Sequence, residues 1–198
     1  MRIETLLNCD NGINFLTVQI DDSGTGDIVG PAFIGLTRVE TGTIIIKEIP
    51  LELFNEINWL YKKPHSYAIQ LVIEELNELN YRINEEKIIL CRASIFDMLR
   101  TFFMQKGIKS EDGVIEGSLQ TALEKKVLSY LKQIGVDQSK LDIIDPATDQ
   151  NKDVYYHDRN KILREWVLDD YKNRLKYVKT GFKKAFARIK AEAEQKKR

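Results

Sequence analysis

The amino-acid sequence predicts an α/β fold, a mixed sheet flanked by helices with a long amphipathic helix at the C-terminal end. Three observations lead there. β-favouring residues dominate the segments up to Ile49. Beyond Leu51, helical periodicities alternate with short strand-like runs. From Leu163 onward an apolar stripe recurs every three or four residues.

The first strand takes in Asn14-Phe15-Leu16-Thr17-Val18-Gln19 and runs to about Asp21. A second covers Ala32 to Glu40 and a third Thr43 to Ile49, with Thr41-Gly42 as the hairpin turn between them. Two helical stretches follow, Leu51–Tyr61 and Ser66–Asn80, separated by Lys63-Pro64 as a helix break. The fourth strand is Lys87–Cys91. Ser94 then caps a helix that reaches Lys106 and stops at Gly107. Val114-Ile115-Glu116 reads as a short fifth strand, and Gly117-Ser118 opens a helix to Ile134 that Gly135 ends. Leu163, Val167, Tyr171, Leu175, Val178, Phe182, Phe186 and Ile189 form the stripe of the last helix, and basic residues occupy its other faces.

These elements suggest one domain over residues 1–150 and a helical extension over 151–198 that packs on the core or on a partner subunit, as in a homodimer. A chain of 198 residues is long enough for one well-buried core. The segment Met1-Arg2-Ile3-Glu4-Thr5 has no signal-peptide character, and no apolar run approaches membrane-spanning length. Cys9 and Cys91 are isolated, which gives neither a disulfide framework nor a zinc spacing. A soluble, cytoplasmic protein without a membrane partner is the expectation.

Net charge is zero, yet unevenly spread. From Tyr171 to Arg198, eleven Lys and Arg stand against Glu192 and Glu194, a surplus of +9 that leaves −9 on the rest. An acidic body with a basic tail is an asymmetry that suits nucleic acid.

The chemistry concentrates in Ile20-Asp21-Asp22-Ser23-Gly24-Thr25-Gly26-Asp27-Ile28-Val29-Gly30-Pro31. Two carboxylates stand where a strand ends, and hard carboxylate oxygens suit Mg²⁺ or Mn²⁺. Gly24 and Gly26 follow, letting backbone approach a ligand and present N–H groups to phosphate. Asp, Ser and Gly also make ordinary turns. Here Ala32-Phe33-Ile34-Gly35-Leu36 resumes a strand at once, so the turn is embedded between core strands.

The run Asp21–Pro31 resembles the amino-terminal signature of the type 2 ribonucleases H, within the ribonuclease H-like superfamily. The resemblance covers about a dozen residues and implies that Asp21 and Asp22 ligate a divalent metal. It likewise implies that Gly24, Thr25 and Gly26 contact a nucleic-acid backbone. Asp22 stands where the family usually has Glu, and Thr25 where a basic residue is common. The family's third acid closes a later strand, whereas Lys87-Ile88-Ile89-Leu90 here runs into Cys91-Arg92-Ala93-Ser94. The element order of three strands, helix, strand, helix, strand, helix agrees with a ribonuclease H-like mixed sheet.

A two-metal site needs carboxylates from several segments. Glu116 repeats the acid-then-glycine arrangement at the end of the fifth strand. Glu124 lies one turn beyond Gln120 on the next helix, although Lys125-Lys126 beside it also fit a solvated patch. Asp97, early in the helix after strand four, offers a ligand in place of the missing acid or merely favours the helix N-terminus. Asp21, Asp22, Glu116 and Glu124 are thus the catalytic candidates, and Asp21, Asp22, Glu116 and Asp97 the metal candidates. Lys176, Lys179 and Lys183 on the basic helix are candidates for phosphate contact, with a solvated helix face as the alternative.

Two function classes remain open on the sequence. One is a metal-dependent nuclease hydrolysing phosphodiesters in an RNA–DNA hybrid or structured DNA. The other is a non-catalytic ribonuclease H-like module that binds nucleic acid or a partner protein. A third resemblance, of Asp22–Gly26 to the first phosphate loop of actin-like ATPases, ranks last because those enclose nucleotide between two such halves.

Overall fold

The acid pair sits on the central strand of a five-stranded mixed sheet. The computed structural model describes residues 16–83, 85–142 and 152–196. Its strands are β1 (Leu16–Ser23), β2 (Ala32–Arg38), β3 (Thr43–Ile49), β4 (Glu86–Cys91) and β5 (Ser110–Gly113). They are ordered β3-β2-β1-β4-β5. β1 pairs antiparallel with β2, and β2 with β3. β4 runs parallel to β1, and β5 parallel to β4. The helices are α1 (Glu56–Leu60), α2 (Lys63–Glu78), α3 (Asp97–Gln105), α4 (Ser118–Gln133), α5 (Gln138–Asp142), α6 (Lys152–Asp169), α7 (Tyr171–Arg174) and α8 (Lys183–Gln195).

Consecutive residues of a strand face opposite sides of the sheet. Ala32 through Thr37 are all buried, so both faces of β2 are covered. On one face Gly35 makes room for α4: a Cβ there would lie 2.9 Å from Leu119 and 3.2 Å from Leu123. α4 turns Leu119, Leu123, Val127 and Leu131 inward at four-residue spacing. The other face takes α2, which packs on β2 and β3 through a stripe that includes Ala68, Leu71, Val72 and Leu76. Lys62 takes a left-handed conformation just before α2, with Pro64 in its first turn.

Three predicted elements are corrected. The stretch Leu51–Tyr61 is not one helix: a 3₁₀ turn spans Leu51–Phe54, and Asn55 then caps α1 by accepting the N–H of Asn58 at 2.8 Å. The fifth strand is Ser110–Gly113, not Val114–Glu116. As an edge strand it needs only one paired side, and its polar residues bind outward, Glu111 to Lys87 at 2.7 Å and Asp112 to Arg100 at 2.8 Å. Gly113 fits where a Cβ would meet Ile89 at 2.5 Å. Val114 is exposed, while Ile115 enters the core from beyond the strand.

The long C-terminal helix is also replaced. α6 ends at Asp169, α7 and a 3₁₀ turn over Leu175–Tyr177 follow, and α8 starts only at Lys183. Between them Val178 is extended and bridges Val29. The predicted stripe keeps its burial across the break: Leu163, Val167, Val178 and Ile189 all enter this chain's own core. That leaves a homodimer through this face without support. Among the described residues no helix is long and apolar enough to cross a membrane. Cys9, the first two residues of the predicted first strand and the Met1–Thr5 segment lie outside the described residues.

Candidate metal centre and the loop behind it

Parallel pairing sets Ile20 opposite Leu90, so the acids at the end of β1 come beside Cys91 at the end of β4. One potential ligand atom from each of Asp21, Asp22 and Cys91 lies within 4.8 Å of the other two. Asp22 accepts hydrogen bonds from the Thr25 hydroxyl and, at 3.3 Å, from the Cys91 thiol. Burial raises the Asp22 carboxyl above its ordinary range, although those two bonds pull it down. Burial, then the charges of Asp22 and Asp21, push the Cys91 thiol up, so it stays protonated and acts as a donor.

The cleft over these groups has a volume of about 340 Å³, and its lining includes Thr25, Gly26, Arg92 and Gln120 beside the acid pair and Cys91. Gly24 takes φ +80°, and a Cβ there would sit 3.1 Å from the Pro31 carbonyl. Gly26 is exposed, with nothing near the position a Cβ would fill, so the backbone is open to a ligand there.

Behind the cleft lies a buried ionic network. Ser23 donates to Glu124 Oε1 at 2.7 Å. Arg159 of α6, wholly buried, donates to Glu124 Oε2 at 2.6 Å and to Asp27 Oδ1 at 2.9 Å. Lys179, also wholly buried, donates its Nζ to the Gly24 carbonyl and lies 4.3 Å from the centre of the Phe54 ring. Burial lowers its pKa to about 7 against the pull of Asp27 and Asp22. Backbone bonds complete the strap: Gly30 N–H to the Tyr177 carbonyl and Lys179 N–H to the Ile28 carbonyl, both 2.9 Å. Asn160 closes the near side by accepting the Ile28 N–H at 2.9 Å and donating to the Gly26 carbonyl at 3.2 Å.

The sequence candidates therefore separate. Asp21, Asp22, Gly24, Thr25 and Gly26 meet at one cleft. Glu124 stands behind it, bound to Ser23 and Arg159, and is not the solvated residue its lysine neighbours suggest. Glu116 is exposed beyond β5 and does not line the cleft. Asp97 is exposed and pairs with Arg100 at 3.1 Å. Lys176 is exposed, 5.0 Å from the centre of the Tyr177 ring, and Lys183 is exposed with Glu56 at 3.4 Å. Lys179 is corrected from an exposed helix position to a buried one, because the chain there is extended against the glycine loop.

Sequence reasoning missed Arg159, Asp27 and Cys91 as parts of this assembly. Asp27 lay in the motif, and Cys91 at a strand end beside the acids, which were the available signals. Arg159 carried none beyond its presence in His157-Asp158-Arg159. No protein-family model matches the chain, and no curated protein matches it.

Proposed function

We propose that the protein is a divalent-metal-dependent nuclease of ribonuclease H-like architecture, hydrolysing phosphodiester bonds in nucleic acid. The observation that carries this reading is the meeting of Asp21 and Asp22 with Thr25 and the exposed Gly26 backbone in one cleft. The strand and helix order supports it, since β1 to β3, α2, β4, α3, β5 and α4 follow the sequence that the resemblance implies.

The donor set fits a hard dication through the two carboxylates, not through the protonated thiol. Asp21 and Asp22 would hold Mg²⁺ or Mn²⁺, which would activate water and stabilise the departing oxygen. The chain itself contributes position. Thr25 and Cys91 orient Asp22 through their hydrogen bonds. The exposed Gly26 admits a phosphate to the backbone, and Lys179 fixes the turn before it through the Gly24 carbonyl. Lys176 and Lys183 offer exposed cations for more distant phosphates.

A second reading, the non-catalytic binding module, is favoured by one feature. Cys91 stands at the end of β4 where the resemblance calls for a third carboxylate, and among the described residues the cluster holds two acids only.

One experiment separates the two. RNA–DNA hybrid, single-stranded DNA and four-way-junction DNA are incubated with Mg²⁺, Mn²⁺ or chelator. The expected outcome is metal-dependent cleavage that Asp21→Asn abolishes while its thermal melt stays close to that of the original chain. Salt-sensitive binding without cleavage, in every metal, selects the binding module. Cleavage undiminished in Asp21→Asn removes the carboxylate pair from the mechanism.

A further inference from the structure

Thr25 and Gly26 line a second cleft as well, of about 270 Å³, whose other walls include Phe54, Trp59, His65 and Phe182. These rings come from distant parts of the chain. Phe54 ends the turn after β3, Trp59 lies in α1, His65 in the first turn of α2, and Phe182 just before α8. Trp59 is central: its ring centre is 4.9 Å from Phe182, at 72°, and 5.4 Å from His65. The approach of Phe182 to Trp59 depends on Gly181, where a Cβ would lie 2.5 Å from that of Trp59 and 2.8 Å from the Phe54 carbonyl. The Gly181 N–H donates to that carbonyl at 2.8 Å.

The walls are not purely apolar. His65 is 9% exposed, and its Nδ1 is buried without a hydrogen-bond partner. That nitrogen is closed to solvent, so the imidazole lines the cleft with its ring and not with an open acceptor. Burial lowers the pKa of this imidazole, which keeps it neutral. On the outer side, Lys183 and Lys184 at the start of α8 share a groove with Trp59 and Phe182.

Aromatic walls, the acidic cleft on one side and two lysines on the other are features of a path for a single strand. Bases stack on aromatic side chains while the backbone follows positive charge. The volume lies just below the roughly 300–1,000 Å³ of drug-sized ligand sites, which suits one flat ring system and not a whole nucleotide. We propose that this cleft receives one unstacked nucleobase of the strand whose phosphate lies over Gly26, with the base against the partly exposed rings of Trp59 and Phe182. This rests on the nuclease reading for the phosphate's position. It narrows the substrate to a single-stranded or locally unpaired region, since a base inside a duplex reaches such a pocket only at an unstacking cost.

The test is a fluorescence titration of the full chain in chelator at low salt, with a short single strand carrying one 2-aminopurine. The expected result is quenching of the unpaired probe on binding and none for the same probe in a full duplex. Trp59→Ala is expected to weaken binding by roughly tenfold or more, the usual order for one lost base stack, and to abolish the quenching. Ser94→Trp, which fills the cleft from its exposed mouth and leaves the aromatic packing in place, is expected to do the same. Absence of quenching with the original chain, or quenching unchanged in both variants, overturns the proposal. Displacement of the strand by adenosine monophosphate at equal concentration overturns it too, in favour of a free nucleotide. Cleavage is scored separately with Mg²⁺ and Mn²⁺. Metal-dependent cleavage without quenching leaves the nuclease and removes the pocket, whereas quenching without cleavage keeps the pocket and removes the nuclease.

Discussion

Arg159 shows how much of the candidate site depends on a residue that never touches its cleft. Its guanidinium is wholly buried between Asp27 and Glu124, at 2.9 and 2.6 Å. Taking one partner from a buried ion pair leaves the other charge uncompensated, at a cost of about 3–5 kcal/mol. Arg159→Met is therefore expected to lower stability by that amount, read from the midpoint of urea unfolding. Combining it with Glu124→Gln should return part of the loss, because one of the stranded charges is then gone. Additive losses in that cycle would mean that the pair is not coupled. The acid pair was legible in the sequence because a strand and a glycine turn are local patterns, written within a few residues. Arg159 and Lys179 were not, since they lie 132 and 155 positions from their partners in the glycine loop. A lysine or arginine in a charged segment ordinarily faces water, which is why Lys179 read as a phosphate contact.

At the scale of an element, α2 carries a second unusual charge. Glu75 is fully buried on the face that packs against the sheet, and neither carboxyl oxygen has a hydrogen-bond partner. The nearby Lys47 is engaged by Glu78 at 3.2 Å and Glu74 at 3.8 Å. Burial raises the Glu75 pKa from 4.5 to about 8. Between those values the folded chain holds a proton that the unfolded chain has released. Folding stability must then fall as pH rises through this window, by up to ~1.4 kcal/mol per pH unit. Glu75→Gln is expected to flatten that slope, and Glu75→Leu to do so while gaining stability at pH 8. Urea unfolding at pH 5, 6.5 and 8 measures both, and an unchanged slope in the variants would assign the effect to another group. The helix itself was legible, because its other inward positions repeat at helical spacing. β3 was read to its exact ends for a similar reason, a β-branched run after a Thr-Gly turn. β5 was not, because Ser110-Glu111-Asp112-Gly113 has no apolar alternation and exists as a strand only through its pairing with β4.

For the molecule as a whole, the decisive feature is the return of the C-terminal segment to the motif. The apolar stripe of residues 163–189 was visible, but its interruption was not. The partners that make extended backbone favourable at Val178 are Ile28 and Gly30, which bond to its two chain neighbours and lie far away in sequence. The glycine loop thus takes backbone bonds from the 3₁₀ turn and the extended stretch after it. It takes a buried arginine from α6, a buried lysine from beside Val178, and closure at Phe54 through Gly181. A chain cut to residues 1–150 keeps all five strands and loses every one of these. Asp27 and Glu124 would be left buried without Arg159, and Ile28 and Val29 would lose part of their cover. The fragment is expected to lose cooperative thermal unfolding, and a separate peptide spanning residues 152–196 is expected to restore it. Circular dichroism melts of fragment, peptide and mixture give the answer. A fragment that melts cooperatively within a few degrees of the full chain would make the C-terminal segment an appendage. Loss on cutting and recovery on mixing would make the fold and its candidate metal cleft a joint product of both parts, with the acid pair supplied by the first and the geometry of its glycine turn by the second.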